Sequence, residues 1–361
     1  MLNMGEHGSA LEEAERQIRR EPCPVCAGRD LDVGLGCLVR DGTCEPLAHC
    51  RTCDHQWWLQ IHPGTSNAAG EGRQPVKLPG KTALILCGGG AKGAVEVGLY
   101  RATHKLGIPA DLIVGSSIGA LNGALIAAGV APDQLERLWL TLRTRALFRP
   151  SWQLLWKGRR ADSIYTSSGI RDFIHQSLPV ARFEQLRIPL YVNATDLRTG
   201  EEICFRSGEL LGPLLGSIAV PGIFPPVDFD GCQLIDGGVS DNVPIAIAAR
   251  HGASRAILIL CECCRRRSVP LHGFEAILSQ TVDIMLHLKY SHDVGQYRDQ
   301  VDLVAVHPED IGRNVAMFDF SQTKALIEAG YQAARRELLR FLTVSGADGA
   351  TEPTQTKSLP I

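Results

Sequence analysis

The stretch that decides the fold is residues 81–129, KTALILCGGGAKGAVEVGLYRATHKLGIPADLIVGSSIGALNGALIAAG. Two apolar runs, TALILC and DLIVGSS, each precede a segment with helical spacing, GAVEVGLYRATHKLG and IGALNGALIAAG. Strand, helix, strand, helix in this order predicts a parallel sheet covered by helices. Further along, PLYVNATD, EEICFRS and RAILILCEC have the composition of strands. We therefore expect an α/β fold with a central, mostly parallel sheet.

The same stretch also has a membrane interpretation. Residues 112–132 run for 21 residues without a charge and contain glycines at four-residue spacing, as paired membrane helices do. However, β-branched residues precede Gly115 and small helix-forming residues follow Ser117, a change that indicates a buried strand turning into a buried helix. The sequence favours strand and helix, and an integral membrane protein remains the alternative.

A candidate nucleophile lies at this strand-to-helix junction. Gly115-Ser116-Ser117-Ile118-Gly119 matches the G-x-S-x-G nucleophile elbow, in which glycines permit a sharp turn that exposes the serine hydroxyl. Ser117 would stand at a helix start, where free N–H groups and the helix dipole favour an oxyanion. A glycine-rich packing turn is the alternative for this motif alone.

A glycine loop follows the first strand, with the sequence Gly88-Gly89-Gly90-Ala91-Lys92-Gly93. Glycines leave backbone N–H groups unobstructed, so such a loop can hold a developing oxyanion. A dinucleotide fingerprint would need an acidic residue at the end of the next strand, which instead ends in Gly-Ser-Ser, and a P-loop would need Gly-Lys-Ser/Thr. The loop therefore fits an oxyanion hole beside the serine elbow best.

A candidate base lies in Asp236-Gly237-Gly238, within GCQLIDGGVSDNVP. Two glycines after the aspartate let a carboxylate approach the serine hydroxyl, whose proton it would accept. A turn aspartate is the alternative. An exposed aspartate is a weak base toward a hydroxyl, so we expect Asp236 to lie in a poorly hydrated cleft with a raised pKa.

These three motifs, in this order, resemble the patatin-like phospholipase family. The segments YVNATDLRTGEEICF and SIAVPGIFPPV also resemble its pattern, and the likeness covers roughly Thr82 to Leu342. The resemblance implies a three-layer α/β fold and a Ser-Asp dyad without histidine, with Ser117 as nucleophile, Asp236 as base and residues 88–93 as the oxyanion loop. Lys92 stands where many members have arginine. No calcium or organic cofactor is implied.

A Ser-His-Asp triad is the competing arrangement for the same serine. The histidines that follow the candidate acid are His251, His272, His287, His292 and His307. None of them stands in a recognisable motif, and each is interpreted as a structural or surface histidine.

Two cysteine pairs predict a metal site near the amino terminus. Cys23-Pro-Val-Cys26 and Cys50-Arg-Thr-Cys53 are separated by 23 residues, enough for a β-hairpin that brings four thiolates around one zinc ion. A closed four-cysteine site is structural rather than catalytic, and the segment resembles a zinc ribbon. A zinc-ribbon interaction protein with a catalytically silent hydrolase fold is therefore the alternative function. Nearby Cys37, Cys44, His49 and His55 could substitute for a ligand, but they are interpreted as unligated because the two pairs already complete the shell.

A basic and aromatic segment follows the predicted elbow helix. Residues 137–161, RLWLTLRTRALFRPSWQLLWKGRRA, contain seven basic and no acidic residues, with Trp139, Phe148, Trp152 and Trp156 interleaved. Such a segment can dock on an anionic bilayer. A helix pair with inward-packed aromatic residues explains the spacing equally well.

Composition sets the remaining expectations. The net charge of −2 gives no global attraction to nucleic acid or anionic membranes. The first 20 residues lack the apolar stretch of a signal peptide, and paired cysteines suit a reducing compartment, so we expect a cytoplasmic protein, peripheral at membranes. Cys261, Cys263 and Cys264 are interpreted as reduced thiols at a strand end, with acylation or metal binding as alternatives.

The expected organisation is an arm with a short helix (1–20), a zinc-ribbon-like module (21–62), a linker (63–80), a lipid acyl hydrolase domain (81–342) and a disordered tail (343–361).

Overall fold

The computed structural model describes residues 31–37, 44–51, 56–58, 76, 78–152, 156, 158–261, 270, 272–308, 315 and 317–347. Within them the chain forms an α/β domain around one large sheet, as the sequence predicts. The strands of this sheet are β4 (Lys81–Leu86), β5 (Leu112–Ser116), β8 (Leu190–Asp196), β9 (Glu202–Phe205), β10 (Val227–Phe229), β11 (Cys232–Ile235), β12 (Ala253–Ile259) and β13 (Asp302–Val306).

The sheet is mixed rather than uniformly parallel. Its eight strands run in the order β10-β11-β8-β5-β4-β12-β13, with β9 paired to β8. The five strands from β8 to β13 along this order are parallel. The strands β9, β10 and β11 follow β8 in the chain and pair antiparallel with their neighbours in the sheet. The predicted parallel strands thus form the middle of the sheet.

Helices cover both faces of the sheet. They are α1 (Ala94–Leu106), α2 (Ile118–Ala127), α3 (Pro132–Thr141), α4 (Thr144–Leu147), α5 (Ser168–Ser177), α6 (Leu211–Ser217), α7 (Ile245–Arg250), α8 (Phe274–Tyr297) and α9 (Thr323–Ala347). The chain moves one way through β4, β5 and β8 and the other way through β12 and β13. Because parallel crossovers are right-handed, α1 and α2 lie on one face and α8 on the other.

The uncharged stretch 112–132 is divided between two elements. It forms the buried strand β5 and the buried helix α2, joined at Ser117. Among the described residues, no helix combines the length and the apolar character needed to cross a bilayer.

A small sheet precedes the main domain. The strands β1 (Leu31–Cys37), β2 (Cys44–Cys50) and β3 (Gln56–Trp58) pair antiparallel in that order. Cys50 is the last residue of β2, paired in register with Leu31. The other predicted zinc ligands, Cys23, Cys26 and Cys53, lie outside the described residues, as do the predicted arm (1–20) and the tail beyond Ala347.

One predicted boundary differs from the structure. Helix α9 continues to Ala347, so residues 343–347 belong to the last helix and not to the predicted tail.

In the basic segment 137–161, Trp139 and Phe148 are buried in the core, whereas the side chains of Trp152 and Trp156 are 77% and 89% exposed. The aromatic residues of this segment therefore divide between inward packing and the surface. A short strand pair, β6 (Arg149–Pro150) and β7 (Tyr165–Thr166), follows the buried Phe148.

Candidate active site

Ser117 occupies a strained turn between β5 and α2. Its backbone has φ 53° and ψ −126°, a conformation that costs a non-glycine residue about 1–3 kcal/mol. The flanking glycines permit the turn: a Cβ atom at Gly119 would lie 2.3 Å from the carbonyl oxygen of Leu86, and one at Gly115 would lie 2.5 Å from the Cα of Ala120. The G-x-S-x-G pattern is therefore a packing requirement at this junction, and it presents the Ser117 side chain at the end of the sheet.

The hydroxyl of Ser117 meets the carboxyl group of Asp236. Ser117 Oγ donates a hydrogen bond to Asp236 Oδ2 at 2.6 Å, although the two residues are 119 positions apart. Asp236 follows β11, and its second oxygen, Oδ1, accepts a hydrogen bond from Gly238 N at 2.8 Å. Both side chains are buried, with exposed fractions of 7% for Ser117 and 6% for Asp236. The arrangement aims the Asp236 carboxyl group at the one proton that a base must remove from Ser117.

Burial makes Asp236 a stronger base than an exposed aspartate. Desolvation raises its pKa from 3.8 to about 6, against the opposing hydrogen bonds from Ser117 and Gly238. A carboxyl group with this pKa is ionised near neutral pH and still accepts a proton more readily than an exposed one.

The glycine loop lies beside the elbow. A Cβ atom at Gly88 would lie 2.4 Å from Asn242 Oδ1 and 3.0 Å from Ser117 Cβ, so a side chain at this position would displace its neighbours. Several N–H groups of the loop are already used: Gly88 N donates to Asn242 Oδ1 at 2.9 Å, Ala91 N to the carbonyl oxygen of Met317 at 2.7 Å, and Lys92 N to that of Gly89 at 3.1 Å. In the described part of the chain, the N–H groups of Gly89 and Gly90 make no hydrogen bond, which leaves them available to an incoming oxyanion.

Asn242 joins the glycine loop to the acid motif, a role that motif matching alone did not identify. Its side-chain amide contacts the backbone of one residue twice: Oδ1 accepts from Gly88 N at 2.9 Å, and Nδ2 donates to Gly88 O at 3.5 Å. It stands six residues after Asp236, in DGGVSDN. The only sequence signal for it was its place in this polar run, because its partner is 154 positions away.

Further buried polar residues support the elbow and the acid motif. Ser117 N donates to Ser217 Oγ at 2.9 Å. Asn193 Nδ2 donates to the carbonyl oxygens of Gly237 and Asp241, at 3.3 and 2.7 Å. Thr195 Oγ1 donates to the carbonyl oxygen of Asp236 at 3.0 Å. Such fixed partners hold a reactive pair in one geometry without reorganisation.

A second buried aspartate lies behind the acid motif. Asp241 Oδ2 pairs with Lys289 Nζ of α8 at 3.1 Å, and Lys289 also pairs with Asp293. Burial raises the pKa of Asp241 to about 7, although the lysine opposes this rise. The ion pair between Lys289 and Asp241 joins α8 to the segment that follows Asp236.

The candidate histidines do not complete a triad in the described part of the chain. The hydrogen-bond partners of the Ser117 hydroxyl and of the Asp236 carboxyl group there include no imidazole. His251 instead stacks on Tyr191, with ring centroids 4.0 Å apart.

Known proteins are similar to this chain over the part that carries Ser117 and Asp236. Residues 84–249 match the patatin-like phospholipase family model, so the chain contains a patatin-like phospholipase domain. An uncharacterised NTE family protein of Mycobacterium tuberculosis is 34% identical over 179 residues, which are 50% of this chain and 48% of that protein. Patatin-like phospholipase domain-containing protein 6 of Mus musculus is 33% identical over 188 residues, 50% of this chain and 14% of that protein.

A second mycobacterial NTE family protein matches more of the chain, with 26% identity over 329 residues that cover 80% of this chain and 53% of that protein. The chain therefore spans about half the length of the mycobacterial relatives it matches. Among solved structures, VipD from Legionella pneumophila aligns over 85% of this chain and 70% of its own, with 11% identity and a TM-score of 0.39.

Proposed function

Since this chain contains a patatin-like phospholipase domain and has homologues in the NTE family, we propose that it hydrolyses a carboxylic ester of a phospholipid or another acylated lipid. The observation that carries the proposal is the 2.6 Å hydrogen bond from Ser117 Oγ, at a strained elbow, to the buried Asp236 Oδ2.

The proposed reaction has two halves. In the first, Ser117 Oγ attacks the acyl carbonyl carbon while Asp236 takes the hydroxyl proton, and the N–H groups of Gly89 and Gly90 bind the oxyanion. Collapse of the tetrahedral intermediate expels the alcohol, which receives the proton from Asp236. In the second half, Asp236 takes a proton from water while the water oxygen attacks the acyl-enzyme carbonyl carbon. Collapse of this second intermediate releases the fatty acid, and Asp236 returns the proton to Ser117 Oγ, which restores both residues.

A broad lipid panel tests this function. Wild-type protein is expected to release fatty acid from at least one ester lipid, and Ser117→Ala is expected to release none above background. Ser116→Ala is the matched control, because Ser116 belongs to the same turn and its buried hydroxyl makes no hydrogen bond within the described residues. If wild type and Ser117→Ala are equally inactive on every lipid, the alternative of a catalytically silent hydrolase fold behind an interaction module is favoured.

We also propose that Cys23, Cys26, Cys50 and Cys53 bind one structural zinc ion. The support is the spacing of the two pairs and the antiparallel hairpin β1–β2 that lies between them. The metal content of the full chain, compared with that of a Cys23→Ser/Cys26→Ser variant, tests this assignment. A loss of one zinc equivalent per chain is expected, and unchanged content would contradict it.

For access to lipid, we propose peripheral docking of a cytoplasmic enzyme through residues 137–161. The exposed Trp152 and Trp156 support the proposal, since aromatic side chains partition to the headgroup region, and the arginines of the segment can meet anionic phosphates. Flotation with anionic liposomes tests it. Replacing Arg143, Arg145, Arg159 and Arg160 by glutamine is expected to reduce binding, and unchanged binding would remove the idea.

A further inference from the structure

A second buried polar cluster lies on the other side of the glycine loop from Ser117. It consists of Cys87, Glu96 and Cys261, here called the thiol–carboxyl cluster. Cys87 directly follows β4 and precedes Gly88. Cys261 lies two residues after the end of β12, and Glu96 lies in the first turn of α1. Their exposed fractions are 2%, 0% and 7% for Cys87, Glu96 and Cys261. The mechanism proposed above uses none of these side chains.

The three side chains converge on one point. One sulfur or oxygen atom from each residue lies within 4.8 Å of the other two, and Cys261 Sγ is 3.5 Å from Glu96 Oε1. A tetrahedral zinc ion with its usual bond lengths of about 2.3 Å to sulfur and 2.0–2.2 Å to oxygen holds its ligand atoms about 3.6–3.8 Å apart. Small side-chain movements therefore bring all three atoms to ligand distance.

The surrounding residues orient Glu96 as metal sites orient their carboxylates. Asn122 Nδ2 donates to Glu96 Oε2 at 2.8 Å, and Trp139 Nε1 donates to Asn122 Oδ1 at 2.8 Å. This chain fixes one carboxyl oxygen and leaves the other, Oε1, facing the two thiols. Hydrogen bonds of this kind behind a ligand hold it in place and tune its affinity for metal.

Among the described residues, the hydrogen-bond partners of the cluster carry no positive charge. Glu96 is bonded to an amide and a thiol, and Cys87 to the carbonyl oxygen of Ile259 and the N–H of Cys261. The Glu96 carboxyl group is therefore buried without a charged partner among the described residues. A bound cation supplies the missing charge.

We propose that Cys87, Glu96 and Cys261 bind a divalent, thiophilic metal ion, with zinc as the ion that fits best. Both thiols and the carboxyl group lose their protons on binding, so one M²⁺ replaces three H⁺ and the three-ligand complex carries one negative charge. The fourth position is taken by water or by the carbonyl oxygen of Cys87, which lies 4.0 Å from Cys261 Sγ.

This metal would stabilise the position of the glycine loop. It ties the ends of β4 and β12 to the start of α1, and the loop rests on it: a Cβ atom at Gly89 would lie 2.6 Å from Cys261 Cβ. The site is thus structural, and its occupancy is expected to appear first in metal content and thermal stability.

The experiment uses the full chain in the Cys23→Ser/Cys26→Ser background, which removes the predicted amino-terminal zinc. We expect one metal equivalent per chain by elemental analysis, and a thiolate-to-metal charge-transfer band when Co²⁺ is titrated into chelated protein. Cys261→Ser is expected to lose both signals, and Glu96→Gln to weaken Co²⁺ binding at least tenfold. Cys204→Ser is the matched control, because Cys204 is a partly buried thiol in β9, outside the cluster, and should keep both signals.

Two results would overturn the proposal. One is a background protein that folds, as judged by circular dichroism, yet binds no zinc and gives no charge-transfer band with Co²⁺. The other is an unchanged metal content and Co²⁺ spectrum in Cys261→Ser. Because the first reading is made on protein with an intact cluster, a folding defect in the cluster variants does not affect it.

Discussion

Two carboxyl groups flank the glycine loop, and both are buried. Asp236 and Glu96 each have a pKa raised by desolvation, and each contacts a side chain that can become a nucleophile, Ser117 for Asp236 and Cys261 for Glu96. They differ in their surroundings. Asp236 faces a hydroxyl held in a strained turn, next to the glycine loop, whereas Glu96 is fully enclosed and fixed by Asn122.

The difference shows that a perturbed pKa does not by itself identify a catalytic residue. Burial produces the same direction of shift on both sides of the loop. What separates Asp236 is a serine partner held in a strained turn, beside N–H groups of Gly89 and Gly90 that have no partner among the described residues. Catalysis is therefore expected to depend on Asp236 directly, and on Glu96 only through the position of the loop.

The largest expected effect separates the two carboxyl groups by activity. Asp236→Asn removes the base that accepts the Ser117 proton, and kcat/KM for a soluble activated ester is expected to fall by roughly 10³–10⁴-fold. Glu96→Gln is expected to lower it by about tenfold or less, because it only shifts the loop. Steady-state kinetics of the two purified variants measures this contrast. Equal losses would erase the distinction between the two groups.

The second effect concerns the connection between the acid motif and the loop. Asn242→Ala frees Gly88, so the N–H groups of Gly89 and Gly90 lose their fixed direction, and kcat is expected to fall by about 10²-fold while KM changes little. Affinity for a boronic acid that mimics the tetrahedral intermediate should fall in parallel. A rise in KM at constant kcat would instead indicate that Asn242 serves substrate binding.

The third effect is a pH dependence that follows from Asp236. The base works only when ionised, and its pKa is raised to about 6, so kcat/KM is expected to fall about tenfold per pH unit below 6. Asp241, whose pKa is raised to about 7, lies five residues after Asp236, and its ionisation would produce a second inflection in the pH profile of kcat/KM. An Asp241→Asn variant that keeps the inflection near 6 assigns it to Asp236, and one that loses it assigns it to Asp241.

The smallest effect is on stability. The folded-state pKa of Asp236 lies above its ordinary 3.8, so the folded protein binds more protons between about pH 4 and 6, and stability falls as the pH rises through that window. At pH 8 the ionised carboxylate costs the fold free energy that a neutral amide does not. Asp236→Asn is therefore expected to gain about 1–2 kcal/mol at pH 8 by denaturant unfolding, with the gain shrinking toward pH 4. The prediction is contradicted if the free energy of unfolding of Asp236→Asn, relative to that of wild type, is lower at pH 8 than at pH 4.

Local patterns predicted most of what is local in this molecule. The strands β4, β5, β8, β9 and β12 and the helices α1 and α2 lie where apolar runs and helical spacing place them. The elbow glycines were also predictable, because Gly115 and Gly119 meet backbone atoms at distances that no side chain tolerates.

The remaining features depend on contacts between distant parts of the chain. The partners Asn242 and Gly88 are 154 positions apart, and Cys87 and Cys261 are 174 apart, so no window of sequence contains either pair. The burial of Trp139 also depends on a contact between two helices, because its indole N–H donates to Asn122 Oδ1, 17 positions earlier in the chain. Spacing along a helix predicted an aromatic face but not which of its residues the core would cover.

The most direct test of the central claim is covalent labelling of the nucleophile. A fluorophosphonate, which phosphonylates an activated serine, is expected to add one group to the wild-type chain, and peptide mass spectrometry should place it on Ser117. Ser116→Ala should be labelled like wild type and Ser117→Ala not at all. Labelling that persists in Ser117→Ala, or an adduct mapped to another residue, would contradict the assignment of Ser117 and Asp236 as the reacting pair.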